Sequence, residues 1–296
     1  MNLQIGTAPC SWGVEFIEDD RQVPWQRCLR EIAAAGYEWT ELGPYGYIPT
    51  DPDALRAVLD ENGLRVCSAV VMRHFEDPDS RAEIEEDARR AAELLAAVNA
   101  PHMTLIDATY FDRQTGEQLF PADLDEAGFA RLIEGVERTA ATIRDEFGVQ
   151  AVFHPHAETH VRTEPQIEAY LDAADLDLAP LAFDTGHHAY CGGDPVVFFC
   201  KHHTSISYLH LKSIDGPILE QALADGVGFM ETVQRKVFVE PSVGTVDFEG
   251  FRRALEDVDF QGFAIVEQDM YPVASLDDPL PIATRTRDWL REQGWG

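Results

Sequence analysis

Positive charge is scarce in this sequence. The 296 residues carry 53 acidic side chains against 23 Lys and Arg, a formal net charge of −30, and the only lysines are Lys201, Lys212 and Lys236. Such a field repels a phosphate backbone and argues against nucleic acid as a partner. Long apolar runs are missing as well. None approaches the ~18 residues of a membrane-spanning helix. The N-terminus, Met-Asn-Leu-Gln-Ile-Gly-Thr-Ala-Pro, has no basic segment followed by an apolar core. Neither a membrane span nor a signal peptide is therefore expected. Cysteine is sparse: Cys10, Cys28, Cys67, Cys191 and Cys200 form no CxxC pair. Reduced thiols in a cytoplasmic protein are the simplest account, and cysteine-based nucleophilic catalysis finds no support. A glycine-rich dinucleotide turn is also lacking, since Gly6-Thr-Ala-Pro-Cys-Ser-Trp-Gly13 is not GxGxxG. With no repeat, low-complexity tract or linker, the chain reads as one domain, 1–296.

What is present is an alternation of apolar runs and amphipathic segments. Strand-like runs fall at 3–8, 37–42, 65–71, 102–106, 149–154, 180–184, 206–212 and 262–267. Helical patterns follow at about 24–35, 52–62, 79–98, 126–146, 164–174, 194–203, 248–257 and 279–292. Pro at a helix start and Gly just past its end mark several boundaries, as at Pro24 and Gly36 or Pro52 and Gly63. Eight such units predict an α/β fold, a (β/α)8 TIM barrel; a doubly wound open sheet is the alternative. The stretch 213–246 reads as an insertion after strand seven, with its own helix near 217–233.

Chemistry-bearing residues collect at the strand ends. Leu181-Ala-Phe-Asp184-Thr-Gly-His187-His188 is an apolar run ending in an acid and two histidines, and His154-Pro-His156, His210-Leu-Lys212 and Val266-Glu-Gln-Asp269 repeat the plan. Residues two apart on a strand share a face, and a closed barrel gathers its C-terminal strand tips on one face. Each residue alone is as well explained by a cap or a loop contact. The set from strands five to eight points to a shared divalent metal at an open, catalytic site, because mixed carboxylate and imidazole donors suit such ions. A metal beside a carbonyl acts as a Lewis acid and stabilises an enolate. The accompanying base is expected among Glu41, Glu158, His156, His187 and Lys212. Trp12 is the best tryptophan for a pocket wall, and Tyr45 is a candidate sugar contact.

These residues resemble the xylose isomerase-like TIM barrel superfamily of sugar isomerases, epimerases and dehydratases, and within it the inosose dehydratase branch. The resemblance spans nearly the whole chain. It rests on Thr40-Glu-Leu-Gly-Pro-Tyr-Gly-Tyr-Ile-Pro-Thr-Asp-Pro52, His154-Pro-His156 with Thr163-Glu164, Asp184-Thr-Gly-His187 with Gly192-Gly-Asp-Pro195, His210-Leu-Lys212 and Val266-Glu-Gln-Asp269. It implies one divalent ion, Mn²⁺ or Co²⁺ first and Mg²⁺, Fe²⁺ or Zn²⁺ otherwise, with Asp184, His210 and Glu267 as three ligands. His187 matches a histidine that contacts substrate or a second metal. Many relatives carry Glu where Val152 falls; here His154 is the expected fourth ligand, with His156 or Glu158 as alternatives. The implied catalytic residues are Glu41, Glu158, His187 and Lys212, with Trp12, Tyr45 and His156 at the substrate. The implied reaction is dehydration of an inosose-like keto-cyclitol or keto-sugar. A sugar isomerase or epimerase using the same enolate is the alternative, and an abasic-site endonuclease or a non-catalytic, scaffold-like partner subunit lies further off. A homo-oligomer is compatible with this reading.

Overall fold

Apolar runs bounded by capping residues become strands, and the amphipathic segments between them become helices laid on the outside. The computed structural model describes residues 1–113 and 115–295; Gln114 and Gly296 lie outside the described residues. In chain order, β1 (Asn2–Thr7) leads to α1 (Trp25–Ala34), β2 (Trp39–Glu41) to α2 (Pro52–Asn62), and β3 (Arg65–Arg73) to α3 (Arg81–Ala97). Then β4 (His102–Asp107) leads to α4 (Glu126–Phe147) and β5 (Gln150–Phe153) to α5 (Glu164–Ala173). After β6 (Leu181–Asp184) come α6 (Thr185–Tyr190) and α7 (Pro195–His202), then β7 (Ile206–Leu211). The remaining elements are β8 (Ser213–Ile214), α8 (Gly216–Asp225), α9 (Phe229–Gln234), β9 (Phe238–Val239), α10 (Phe248–Asp257), β10 (Gln261–Val266) and α11 (Pro279–Glu292).

Eight parallel strands close in the order β1-β10-β7-β6-β5-β4-β3-β2, so the chain is a TIM barrel. Closure pairs Thr7 with Val266 and Asp184 with His210 in register, which puts strand ends far apart in sequence at one rim. A small interior cluster, including Cys67, Val152, Ala182, Tyr208 and Ile265, fills the barrel, and the larger core lies between strands and outer helices. Among the described residues no helix is long and apolar enough to cross a membrane.

Two departures from the sequence reading matter for the site. The turn after β6 winds directly into a short helix, α6, ahead of the helix expected at 194–203. The insertion holds two helices, not one, because Gly226 takes a left-handed conformation (φ 68°) and ends α8. Its ends are tied by the antiparallel β8–β9 pair, and its core of Ile214, Leu219, Phe229, Val233 and Phe238 sits over the rim.

Two close packings give tests. Gly135 in α4 faces the backbone after β3, where a Cβ would lie 2.4 Å from the Phe75 carbonyl oxygen. Gly-to-Ala in a free helix stabilises by about 1 kcal/mol, but overpacking costs about 1–3 kcal/mol. Gly135→Ala should therefore lower the thermal midpoint; a raised midpoint would show the contact to be slack. His188 on α6 is buried against Phe183 and Phe198, and burial pushes its pKa down to about 4. The folded state thus binds fewer protons than the unfolded chain between about pH 4 and 6.5, so this group's contribution is complete above 6.5 and is lost as pH falls toward 4. His188→Phe should flatten the acid limb of stability measured by urea titration, on the order of 2 kcal/mol at pH 4; an unchanged limb contradicts the assignment.

Candidate active site

The rim is organised by Asp184, the last residue of β6. Its Oδ1 accepts hydrogen bonds from the backbone N–H of Gly186 (2.7 Å) and His187 (2.8 Å), capping α6. Its Oδ2 is buried and accepts no hydrogen bond. Gly186 permits this turn to press on the next strand: a Cβ there would lie 2.5 Å from Cγ of Lys212. Around the bare oxygen stand His154 Nε2 at 3.5 Å and His210 Nδ1 at 3.6 Å. The two rings approach each other at 3.0 Å, His154 Nε2 to His210 Nδ1, and Glu267 Oε2 lies 3.2 Å from His210 Nδ1.

These separations permit a test of whether the residues suit a metal. Four donors at roughly 2.0–2.2 Å from a tetrahedral ion stand about 3.3–3.6 Å apart. His154 Nε2, Asp184 Oδ2 and His210 Nδ1, separated by 3.0, 3.5 and 3.6 Å, come close to that span. These three atoms could thus hold one divalent ion with little movement, and Glu267, whose Oε2 lies near His210 Nδ1 but outside this close group, would have to turn toward the ion to serve as a fourth ligand. The other nitrogen of His210 is spoken for, since its Nε2 lies 3.1 Å from Glu41 Oε1, which also accepts from the Tyr208 hydroxyl at 2.7 Å. A carboxylate behind a histidine fixes the ring and its tautomer.

A cation already sits beside these donors. Lys212 is 1% exposed, and its Nζ lies 2.9 Å from Glu267 Oε2, 3.4 Å from Asp184 Oδ2, 3.1 Å from Asp269 Oδ2 and 3.0 Å from His187 Nε2. Burial works against its charge, yet Asp184, Asp269 and Glu267 together hold it well above the ordinary lysine range. Burial likewise opposes the Asp184 carboxylate, and Lys212 and His187 bring it well below the usual range. His210 is held charged by Glu267 and Glu41 against its burial. His156 and His187 behave oppositely: burial pushes both well below the usual histidine range, reinforced by their cationic and imidazole neighbours. Their rings meet at a tilt of 39° with centroids 3.8 Å apart. Phe229 from the insertion packs 5.1 Å from His156, and Phe238 lies 5.5 Å from His187. His156 Nδ1 donates to the Ala157 carbonyl at 2.7 Å, which leaves the Nε2 lone pair free.

A cavity of about 470 Å³ opens on these groups, and Glu41, His154, His156, His187, His210, Lys212 and Glu267 line it. Tyr45 lies at its rim, with the Arg90 guanidinium 5.4 Å from its ring. Two expected residues are elsewhere. Trp12 is fully buried in the core and donates from Nε1 to Glu31 at 2.9 Å, because the chain after β1 turns outward toward α1. Glu158, at φ 57° in the loop after β5, faces away from the cluster and accepts from the Phe229 backbone N–H at 2.7 Å; it pins the insertion. The structure adds to the site Asp269, which closes the Val266-Glu-Gln-Asp269 stretch, and Tyr208. Each stands two residues from a site residue, Glu267 or His210, the same spacing that drew attention to Lys212. Burial raises the Asp269 carboxyl above its ordinary value despite Lys212.

Comparison with known proteins places the fold in a family. Residues 29–293 match the family described as xylose isomerase-like TIM barrel. An inosose dehydratase of Geobacillus kaustophilus (strain HTA426) is 31% identical over 300 residues, covering 97% of this chain and 94% of that protein. Among solved structures, a D-allulose 3-epimerase from Methylomonas sp. in complex with D-allulose superimposes with a TM-score of 0.71 at 18% identity, covering 99% and 97% of the two chains. The IOLI protein with a bound zinc atom gives 0.72 at 14% identity, covering 96% of each. The chain therefore belongs to the xylose isomerase-like TIM barrel family, and it is an enzyme.

Proposed function

We propose that this enzyme is a divalent-metal-dependent dehydratase of a keto-cyclitol or keto-sugar, most nearly of an inosose-like six-membered ring. The observation that carries the reading is the convergence of His154 Nε2, Asp184 Oδ2 and His210 Nδ1, 3.0–3.6 Å apart, with Glu267 Oε2 3.2 Å from His210, beside a buried ammonium and an uncharged imidazole. The inosose dehydratase relative at 31% identity supports the substrate class. His154, Asp184, His210 and Glu267 would hold the ion, which supplies Lewis acidity toward a ketone.

The chain's own groups account for the proton movements. His156 Nε2, unprotonated and facing the cavity, takes the proton α to the ketone. The carbon–oxygen bond at the β-position breaks, and the departing hydroxide takes a proton from Lys212 Nζ to leave as water. His156 then releases its proton and Lys212 regains one, so the sum is loss of one water with no oxidant. His187 and Asp269 fix the ammonium from two sides. Glu41 acts through His210, holding its ring, and Phe229 and Phe238 keep water from the imidazoles. An epimerase shares the first step but must return a proton to the opposite face. His156 and His187 stand side by side on one wall, which favours elimination.

Metal-loaded enzyme given an inosose should yield an ultraviolet-absorbing enone lighter by one water; an isomer of unchanged mass carrying solvent deuterium would assign the epimerase reaction instead. His156→Ala should lower kcat about 10²–10⁴-fold with bound metal unchanged, and a drop below tenfold would remove it as base. Because burial holds His156 below the histidine range, and a base must be unprotonated, kcat/KM should stay level from pH 8 down to 6. A fall centred near the ordinary value of about 6.5 would contradict that environment.

A further inference from the structure

A second group of donors lies outside the central cavity, where β3 and β4 end. His74 and Glu76 follow β3, Asp107 closes β4, and each offers a ligand atom within 4.8 Å of the others. The side chains of Asp107 and Glu76 are 0% and 9% exposed, that of His74 21%. Each carboxylate has one oxygen engaged and one bare. Glu76 Oε1 lies 3.1 Å from His74 Nδ1, and Asp107 Oδ2 accepts from the His160 backbone N–H at 3.1 Å and faces its Nδ1 at 2.7 Å. Glu76 Oε2 and Asp107 Oδ1 are buried without a hydrogen-bond partner. A buried carboxylate oxygen with nothing to accept from is costly unless a cation or donor arrives.

His160 is not that donor. Its Nε2 donates to the Pro121 carbonyl at 3.1 Å while Nδ1 faces Asp107. Both nitrogens are thus committed, and the ring orients Asp107 from behind as a carboxylate-bound histidine does around a metal. Among the described residues neither Glu76 nor Asp107 is paired with a lysine or arginine; histidines are their ion-pair partners. Two carboxylates against one imidazolium leave an excess negative charge, which a divalent ion would reverse. The Arg131 guanidinium donates to the Glu76 backbone carbonyl at 3.0 Å and holds the loop in place.

We propose that His74, Glu76 and Asp107 form a second metal site, for a first-row divalent ion such as Zn²⁺, that clamps the ends of β3 and β4. One imidazole with two carboxylates suits such an ion better than Mg²⁺ or Ca²⁺. Zn²⁺ titrated into chelator-treated full-length protein, with bound metal counted by atomic emission, tests it. Wild type should take two equivalents. His74→Gln and Glu76→Gln should each take one, Glu267→Gln one, and the Glu76→Gln/Glu267→Gln pair none. His74 is partly exposed, so its variant stays informative if Glu76→Gln fails to fold. A single equivalent in wild type, lost in Glu267→Gln and kept in His74→Gln, would overturn the second site and leave the first standing. Two equivalents retained in His74→Gln would overturn it as well.

Discussion

The division of labour between the two oxygens of Asp184 underlies the rest of the site. One oxygen satisfies the first N–H groups of α6, which fixes the carboxylate against rotation. The other is left bare and buried beside His154, His210 and Lys212. A bare buried carboxylate costs several kcal/mol unless charge compensates it. Lys212, two residues beyond His210, supplies compensation in this structure, and its position depends on Gly186 leaving room for its stem. Strand closure, the cap, the glycine and the lysine are thus parts of one arrangement.

The insertion after β7 completes that arrangement. It brings Phe229 and Phe238 against two imidazoles that would otherwise face water. Uncharged His156 and His187 then sit beside a charged lysine, in a molecule whose net charge is −30. Groups held apart in protonation within one cavity are what acid–base chemistry at neutral pH requires.

Most of the fold was legible in the sequence because barrel strands and capped helices obey local rules: apolar runs, Pro at helix starts, Gly past their ends. The tips of β6, β7 and β10 were legible for the same reason, as polar residues closing apolar runs. Three things were not. Trp12 looked like a pocket wall because it follows β1, but its partner Glu31 is 19 residues away, and no local signal predicts that turn. Glu158 looked like a base, yet its direction is set by a left-handed backbone and by Phe229, 71 residues on. The service of Glu41 to His210 crosses 169 residues, and pairing at that distance follows from barrel closure, not from spacing.

The most direct test is an anomalous difference map from crystals loaded with Mn²⁺. The account predicts a peak about 2.0–2.3 Å from His154 Nε2, Asp184 Oδ2, His210 Nδ1 and Glu267 Oε2, with Glu41 still behind His210. No peak among those four atoms, with Lys212 Nζ keeping its contacts to Asp184 and Glu267, would contradict it.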